Sequence, residues 1–145
     1  MSEVDILLAE DSEDDAAFFV QALSDSHPDA RLVIARDGVE ALSVIFGAAD
    51  REGDRPVLRP KLILLDLKLP KVSGLELLRI FKSNPNTRSI PAVVLSSSRE
   101  KDDLAESYRL GANSYLVKPM DFDEFAALVQ LLGRYWLEFN QSAKL

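Results

Sequence analysis

Residues 61–70 read KLILLDLKLP: four consecutive apolar side chains, Leu62 to Leu65, run straight into a carboxylate, Asp66. A run this short and apolar, followed by the Pro/Gly-bearing stretch LKLPKVSG, has the pattern of a strand buried on both faces. Acids are rarely fully buried unless paired. Asp66 therefore needs partners, and the rest of the chain must supply them.

Working outward from this stretch, the same pattern recurs. Val4–Ala9 (VDILLA), Arg31–Ala35 (RLVIA), Ile90–Leu95 (IPAVVL) and Asn113–Val117 (NSYLV) read as four further short strands. Between them lie amphipathic stretches: AAFFVQAL behind the acids EDSEDD, Gly38–Phe46 stopped by Gly47, LELLRIFKS, and Arg99–Leu110 closed by Gly111. A long terminal helix is expected from about Asp123 past Trp136. Ala48–Pro60, charged and carrying Gly53, Pro56 and Pro60, reads as a loop longer than most such connections. Strand and helix thus alternate five times, which argues an α/β domain with a parallel sheet covered by helices on both faces.

Composition narrows the function. The 145 residues, 47% of them hydrophobic, suit one domain with a proper core. A net charge of -7 speaks against phosphate-neutralising contact with nucleic acid. The absence of cysteine excludes disulfides, thiolate zinc sites, iron–sulfur clusters and a cysteine nucleophile. The one histidine, His27, sits in SDSHPDA, which reads as a turn. The N-terminus is acidic where a signal peptide needs a basic start, and no apolar stretch is long enough for a bilayer. A cytoplasmic protein without membrane contact is expected.

In open α/β sheets ligands sit outside the carboxyl ends of the strands. The residues found there are Glu10 and Asp11, Asp66, Ser96 and Lys118. Each has an ordinary explanation alone: helix capping for the acid pair, turn formation for Asp66, loop for the serines, surface for Lys118. Their joint arrangement at four strand ends favours a site. Three gathered acids repel one another unless a cation joins them, and an all-oxygen donor set suits Mg2+ or Mn2+ rather than zinc. Mg2+ keeps company with phosphate oxygens, and a carboxylate can itself be the nucleophile for phosphoryl transfer. Lys118 would neutralise charge and Ser96 would donate to a phosphoryl oxygen.

The segments LLAEDSEDD, LILLDLKLPKVSGLELL, IPAVVLSSS and GANSYLVKP, in this order and spacing, resemble the receiver domain of two-component response regulators. The resemblance covers nearly the whole chain as a single domain, 1–145, with no output domain. It implies a (βα)5 doubly wound five-stranded parallel sheet, flavodoxin/CheY-like, with strand order 2-1-3-4-5. It implies Asp66 as phosphoacceptor, Asp11 as a direct Mg2+ ligand, Glu10 acting through water, and the Lys68 backbone carbonyl as third protein ligand. Lys118 takes the place of the lysine that pairs with the phosphoryl group, Ser96 the switch hydroxyl and Tyr115 the switch aromatic. Pro70, Gly74 and Pro119 match turn residues, and the Lys118–Pro119 bond is usually cis in the family. Serine at Ser96 replaces the commoner threonine, and glutamate at Glu10 replaces aspartate. The implied partner is a histidine kinase or phosphotransfer domain, and the implied chemistry is limited to the protein's own phosphorylation and dephosphorylation. The phosphoryl group would draw in Ser96 and Tyr115 and alter the face made by the fourth helix, fifth strand and fifth helix.

Within the terminal helix, Phe122, Phe125, Val129, Leu132, Trp136 and Phe139 recur at helical spacing and are expected in the core. Leu128, Leu131 and Tyr135 form a second apolar line, which suggests a homodimer through that same face. The loop before KLILLD, the LDLKLP segment and the WLEF tail resemble small regulators paired with bacterial or cyanobacterial phytochromes. Lys68 and Ser98 flank the phosphoryl position and are expected to influence its lifetime. Two other functions fit less well. A haloacid-dehalogenase-like phosphatase wants a second acid two residues after its nucleophile, where Lys68 stands. A flavodoxin-like flavin site wants a Gly/Ser/Thr-rich turn after the first strand, where EDSEDD would repel phosphate. A receiver-fold adaptor that is never phosphorylated would not need the full acid, hydroxyl and lysine set.

Overall fold

The apolar runs become strands and the amphipathic stretches helices, in strict alternation. The computed structural model describes residues 3–47 and 55–143. Residues 48–54 of the expected loop lie outside the described residues. The order is β1 (Ile6–Ala9), α1 (Glu13–Ser26), β2 (Leu32–Ala35), α2 (Gly38–Phe46), β3 (Leu62–Leu65), α3 (Gly74–Ser83), β4 (Ala92–Ser96), α4 (Lys101–Arg109), β5 (Ser114–Val117) and α5 (Phe122–Gly133). A π-helical segment, Arg134–Phe139, continues α5. Four strands are one or two residues shorter at their starts than the apolar runs suggest. At its other end β4 extends through Ser96, the residue expected just beyond it.

All five strands are parallel, in the order β2-β1-β3-β4-β5. Every residue of β1, β3 and β4 is buried, which explains why their sequences show no polar alternation. Successive side chains point to opposite faces. Leu7, Ala9, Ile63, Leu65, Ala92 and Val94 meet Ile45 and Phe46 of α2 and Leu77 and Phe81 of α3. Ile6, Leu8, Leu62, Leu64, Val93 and Leu95 meet Phe19 and Leu23 of α1 and Phe125 and Val129 of α5.

Four helices begin with the same device. The side chains of Ser12, Asp37, Ser73 and Asp121 accept from the backbone N–H three residues on, at Asp15, Glu40, Glu76 and Glu124. Each such cap is worth about 1 kcal/mol. Together they start helices directly after the loops that leave the carboxyl edge of the sheet.

The terminal helix departs from expectation. Phe125, Val129 and Leu132 are buried and Trp136 is half-buried, but Phe122 and Phe139 are exposed. Phe122 is the first residue of α5, beyond the sheet edge, and packs edge-on against Phe18 at 4.9 Å. Phe139 lies after the change to π-helical winding, which breaks the i, i+3, i+4 phase, and its ring sits 5.3 Å from the Arg134 guanidinium. At the start of this segment Gly133 makes room for His27, since a Cβ would come within 2.7 Å of Nδ1. His27 caps the end of α1, and its Nε2 lies 2.6 Å from Oε2 of Glu138. The described residues contain no cis peptide bond, so Lys118–Pro119 is trans, contrary to the isomer usual in the family it resembles.

Leu64 is fully buried in the central strand between α1 and α5. Leu64→Ala is expected to cost about 2–5 kcal/mol, the range for a buried leucine whose cavity cannot collapse. Urea unfolding of the two proteins measures it.

Candidate functional site

The site residues hang on the last rungs of the ladder. Glu10 donates its N–H to the Ala35 carbonyl (2.9 Å), Asp66 to Ala9 (3.0 Å) and Lys118 to Ser96 (2.8 Å). Pairing one residue beyond β1, β3 and β5 therefore fixes where these three side chains leave the sheet. From the other side, two helix starts clamp the loop after Asp66. Gly74 donates to the Leu67 carbonyl at 3.0 Å, and a Cβ on it would lie 2.1 Å from the Asp66 carbonyl oxygen. Gly38 donates to Pro70 at 3.1 Å, and a Cβ there would lie 2.0 Å from the Val72 carbonyl oxygen. The loop between them turns through Lys71, in the left-handed region at φ 69°.

Lys118 joins the carboxylates. Its Nζ donates to Glu10 Oε1 at 2.5 Å, Asp66 Oδ2 at 2.9 Å and Asp15 Oδ2 at 3.0 Å, so three ammonium protons have three acceptors. Burial works against the charge on Lys118, but its hydrogen bonds to Glu10 and Asp66 outweigh it and hold the ammonium well above the ordinary lysine range. Burial pushes the Glu10 carboxyl upward, against the lowering effect of Lys118. Glu10 is 3% exposed, so its charge depends on that partner.

Oxygens of Glu10, Asp11 and Asp66 all lie within 4.8 Å of one another. This all-carboxylate set fits Mg2+ or Mn2+. Asp11 is exposed and Asp66 half-buried. Both Glu10 oxygens are already engaged, Oε1 by Lys118 and Oε2 by the Ser12 N–H at 3.2 Å. Asp66 Oδ1 accepts from the Lys68 N–H at 3.2 Å. Lys68 thus meets Asp66 through its main chain, while its side chain is exposed.

Ser96 and Tyr115 are buried and joined through Ser98. The Ser98 N–H donates to Ser96 Oγ at 3.2 Å, and its carbonyl accepts from the Tyr115 hydroxyl at 2.9 Å. Its Oγ donates to Asp103 of α4 at 2.5 Å. Among the described residues neither Ser96 Oγ nor the Tyr115 hydroxyl bonds the carboxylates around Lys118. His27 lies at the far end of α1, outside this site.

Sequence reasoning missed Asp15. It treated Glu13, Asp14 and Asp15 alike, as acids at a helix start. The signal is helical phase: with Ala16, Phe19, Ala22 and Leu23 buried, Asp15 borders the inward face while Glu13 and Asp14 do not. Beside it, the exposed Phe18, Met120 and Phe122 border a cleft of about 280 Å³ that reaches Asp15 and Lys118.

Removing the ammonium leaves Glu10 buried beside two further acids. Without added metal, Lys118→Met is expected to destabilise the fold by about 3 kcal/mol, as when one partner of a buried ion pair is lost. Denaturant unfolding in EDTA checks this, and added Mg2+ should recover part of the loss.

The family model for the response regulator receiver domain matches residues 6–130. Response regulator Rcp1 of Synechocystis sp. is 41% identical over 133 residues, spanning 92% of this chain and 88% of Rcp1. The crystal structure of the phosphorylated cyanobacterial phytochrome response regulator RcpA superposes with a TM-score of 0.86 at 34% identity, covering 99% of this chain and 100% of RcpA. The Mn2+-bound form of Rcp1 superposes with a TM-score of 0.85 at 38% identity, again over 99% and 100% of the two chains.

Proposed function

Because the chain belongs to the response regulator receiver family, we propose that it accepts a phosphoryl group on Asp66 from a histidine kinase, with Mg2+, and signals by the change that follows. The observation that carries this reading is the contact of Lys118 with Asp66 Oδ2 at 2.9 Å, beside acids able to hold a divalent cation. A carboxylate oxygen of Asp66 attacks phosphorus as the phosphorus–nitrogen bond of the donor phosphohistidine breaks, and the freed imidazole nitrogen takes up a proton. Lys118 moves with the new charge and pairs with a phosphoryl oxygen. Mg2+ held by Asp11, Asp66 and the Lys68 carbonyl would offset phosphoryl charge, and the full engagement of Glu10 supports its acting through water. The phosphoryl group carries roughly two negative charges where the carboxylate carried one.

Ser96 would then turn toward the phosphoryl group, pulling on Ser98 and through it on Asp103 of α4. Tyr115 is already turned inward, so in this reading phosphorylation stabilises a placement the chain adopts without it. The affected surface is the α4–β5–α5 face. There Leu131 and Tyr135 are 64% and 54% exposed and border a groove of about 580 Å³ with Ser114, Leu116 and Leu128, which supports a homodimer through this face. The Phe18, Met120 and Phe122 rim, beside Lys118, suits docking of the kinase. The likeness to RcpA supports a phytochrome as that kinase.

With acetyl phosphate and Mg2+, the protein is expected to gain one phosphoryl group in intact mass, and Asp66→Asn to gain none. A gain that persists in the variant removes Asp66 as acceptor. Lys68→Ala is expected to change the decay rate of the phosphorylated protein, followed by the same mass measurement. In sedimentation, wild type is expected as a dimer and Leu131→Glu/Tyr135→Glu as a monomer. A wild type that stays monomeric at high concentration overturns the dimer.

A further inference from the structure

Lys118 has three carboxylate partners, and two of them, Glu10 and Asp66, belong to the group whose oxygens converge as a cation site. The third, Asp15, does not. A divalent cation arriving at Glu10, Asp11 and Asp66 competes with the ammonium for two of its three acceptors. Whether it wins depends on where the ammonium can go.

Asp15 is built to answer that. Its backbone N–H is held by Ser12 Oγ at 3.2 Å in the first turn of α1, so the helix start fixes its Cα. Its side chain is 38% exposed, at the rim, and reaches inward to Nζ at 3.0 Å. Glu13 and Asp14, in the same turn and equally able to complement the helix dipole, are exposed. Dipole complementation alone does not account for the inward turn of Asp15.

We propose that Asp15 is a positioning residue that gives Lys118 a partner outside the cation site, so that a divalent cation can engage Asp66 directly and Glu10 through water without leaving the ammonium unpaired. This rests on the metal-binding reading of the site given above. Without Asp15 the ammonium falls wholly on Glu10 and Asp66, and cation affinity drops. The same partner keeps Lys118 at the mouth of the site, within reach of an incoming phosphoryl oxygen.

The test is Mg2+ titration calorimetry on the full chain, comparing wild type, Asp15→Asn, Asp15→Glu, Asp14→Asn, Lys118→Ala and the double variant Asp15→Asn/Lys118→Ala. Asp14→Asn removes the same charge from the same turn without touching Lys118. Asp15→Asn is expected to weaken Mg2+ roughly three- to fivefold more than Asp14→Asn. Asp15→Glu should restore most of the affinity. In the Lys118→Ala background the effect of Asp15→Asn should shrink to that of Asp14→Asn. Equal effects of Asp15→Asn and Asp14→Asn overturn the proposal, as does an Asp15→Asn effect undiminished without Lys118. Failure of the wild type to bind Mg2+ overturns the metal reading as well.

Discussion

An ammonium ion among carboxylates holds this molecule's working edge together. Glu10, Asp66 and Asp15 reach Lys118 from β1, β3 and α1, and Lys118 itself leaves from β5. Gathering those acids without a cation costs Coulomb repulsion, and burying Glu10 adds desolvation. The parallel sheet makes the gathering possible, because every strand delivers its carboxyl end to the same side. A ladder hydrogen bond beyond each of β1, β3 and β5 then sets the side chains in place. The ordering of a chain with a large acidic excess thus converges on one nitrogen atom.

The two sides of the site are held by different kinds of force. Beside Asp66 the restraint is steric: the starts of α2 and α3 approach the loop so closely that glycine is required at Gly38 and Gly74. Beside Ser96 the restraint is a string of hydrogen bonds through Ser98 to Tyr115 and Asp103. Packing of the first kind resists gradual deformation. Hydrogen bonds of the second kind are each worth about 1 kcal/mol net and can be exchanged for others. The Asp66 carboxylate therefore stands on the stiff side, and Ser96 and Tyr115 stand on the side that can rearrange.

Much of this was legible in residue order. The runs ending in Ala9 and Leu65 are buried strands and the one ending in Val117 a half-buried edge strand of the same parallel sheet, so the polar residues following them had to meet at one edge, and Glu10, Asp66 and Lys118 do. The capping roles of Ser12, Asp37, Ser73 and Asp121 were not singled out, because Ser and Asp are as much at home in turns as at helix starts. Asp15 was not, because its neighbours carry the same charge and only the phase of α1 separates them. The exposure of Phe139 was not, because winding that changes after Gly133 leaves no mark in a pattern read at constant pitch. Phe122 has the spacing of a core residue but sits beyond the end of the sheet it would cover.

The position of β1 between β2 and β3 has a consequence for biosynthesis. Ile6 pairs with Leu32 on one side and with Leu62 on the other. As the chain leaves the ribosome, the first two strands can pair early, but the remaining edge of β1 stays open until KLILLD has emerged. Open apolar edges invite pairing with other chains. Glu10 and Asp11, two acids at the end of β1, travel through that interval with Asp66 and Lys118 still unmade. Charge at a strand edge disfavours pairing with a second copy that carries the same charge.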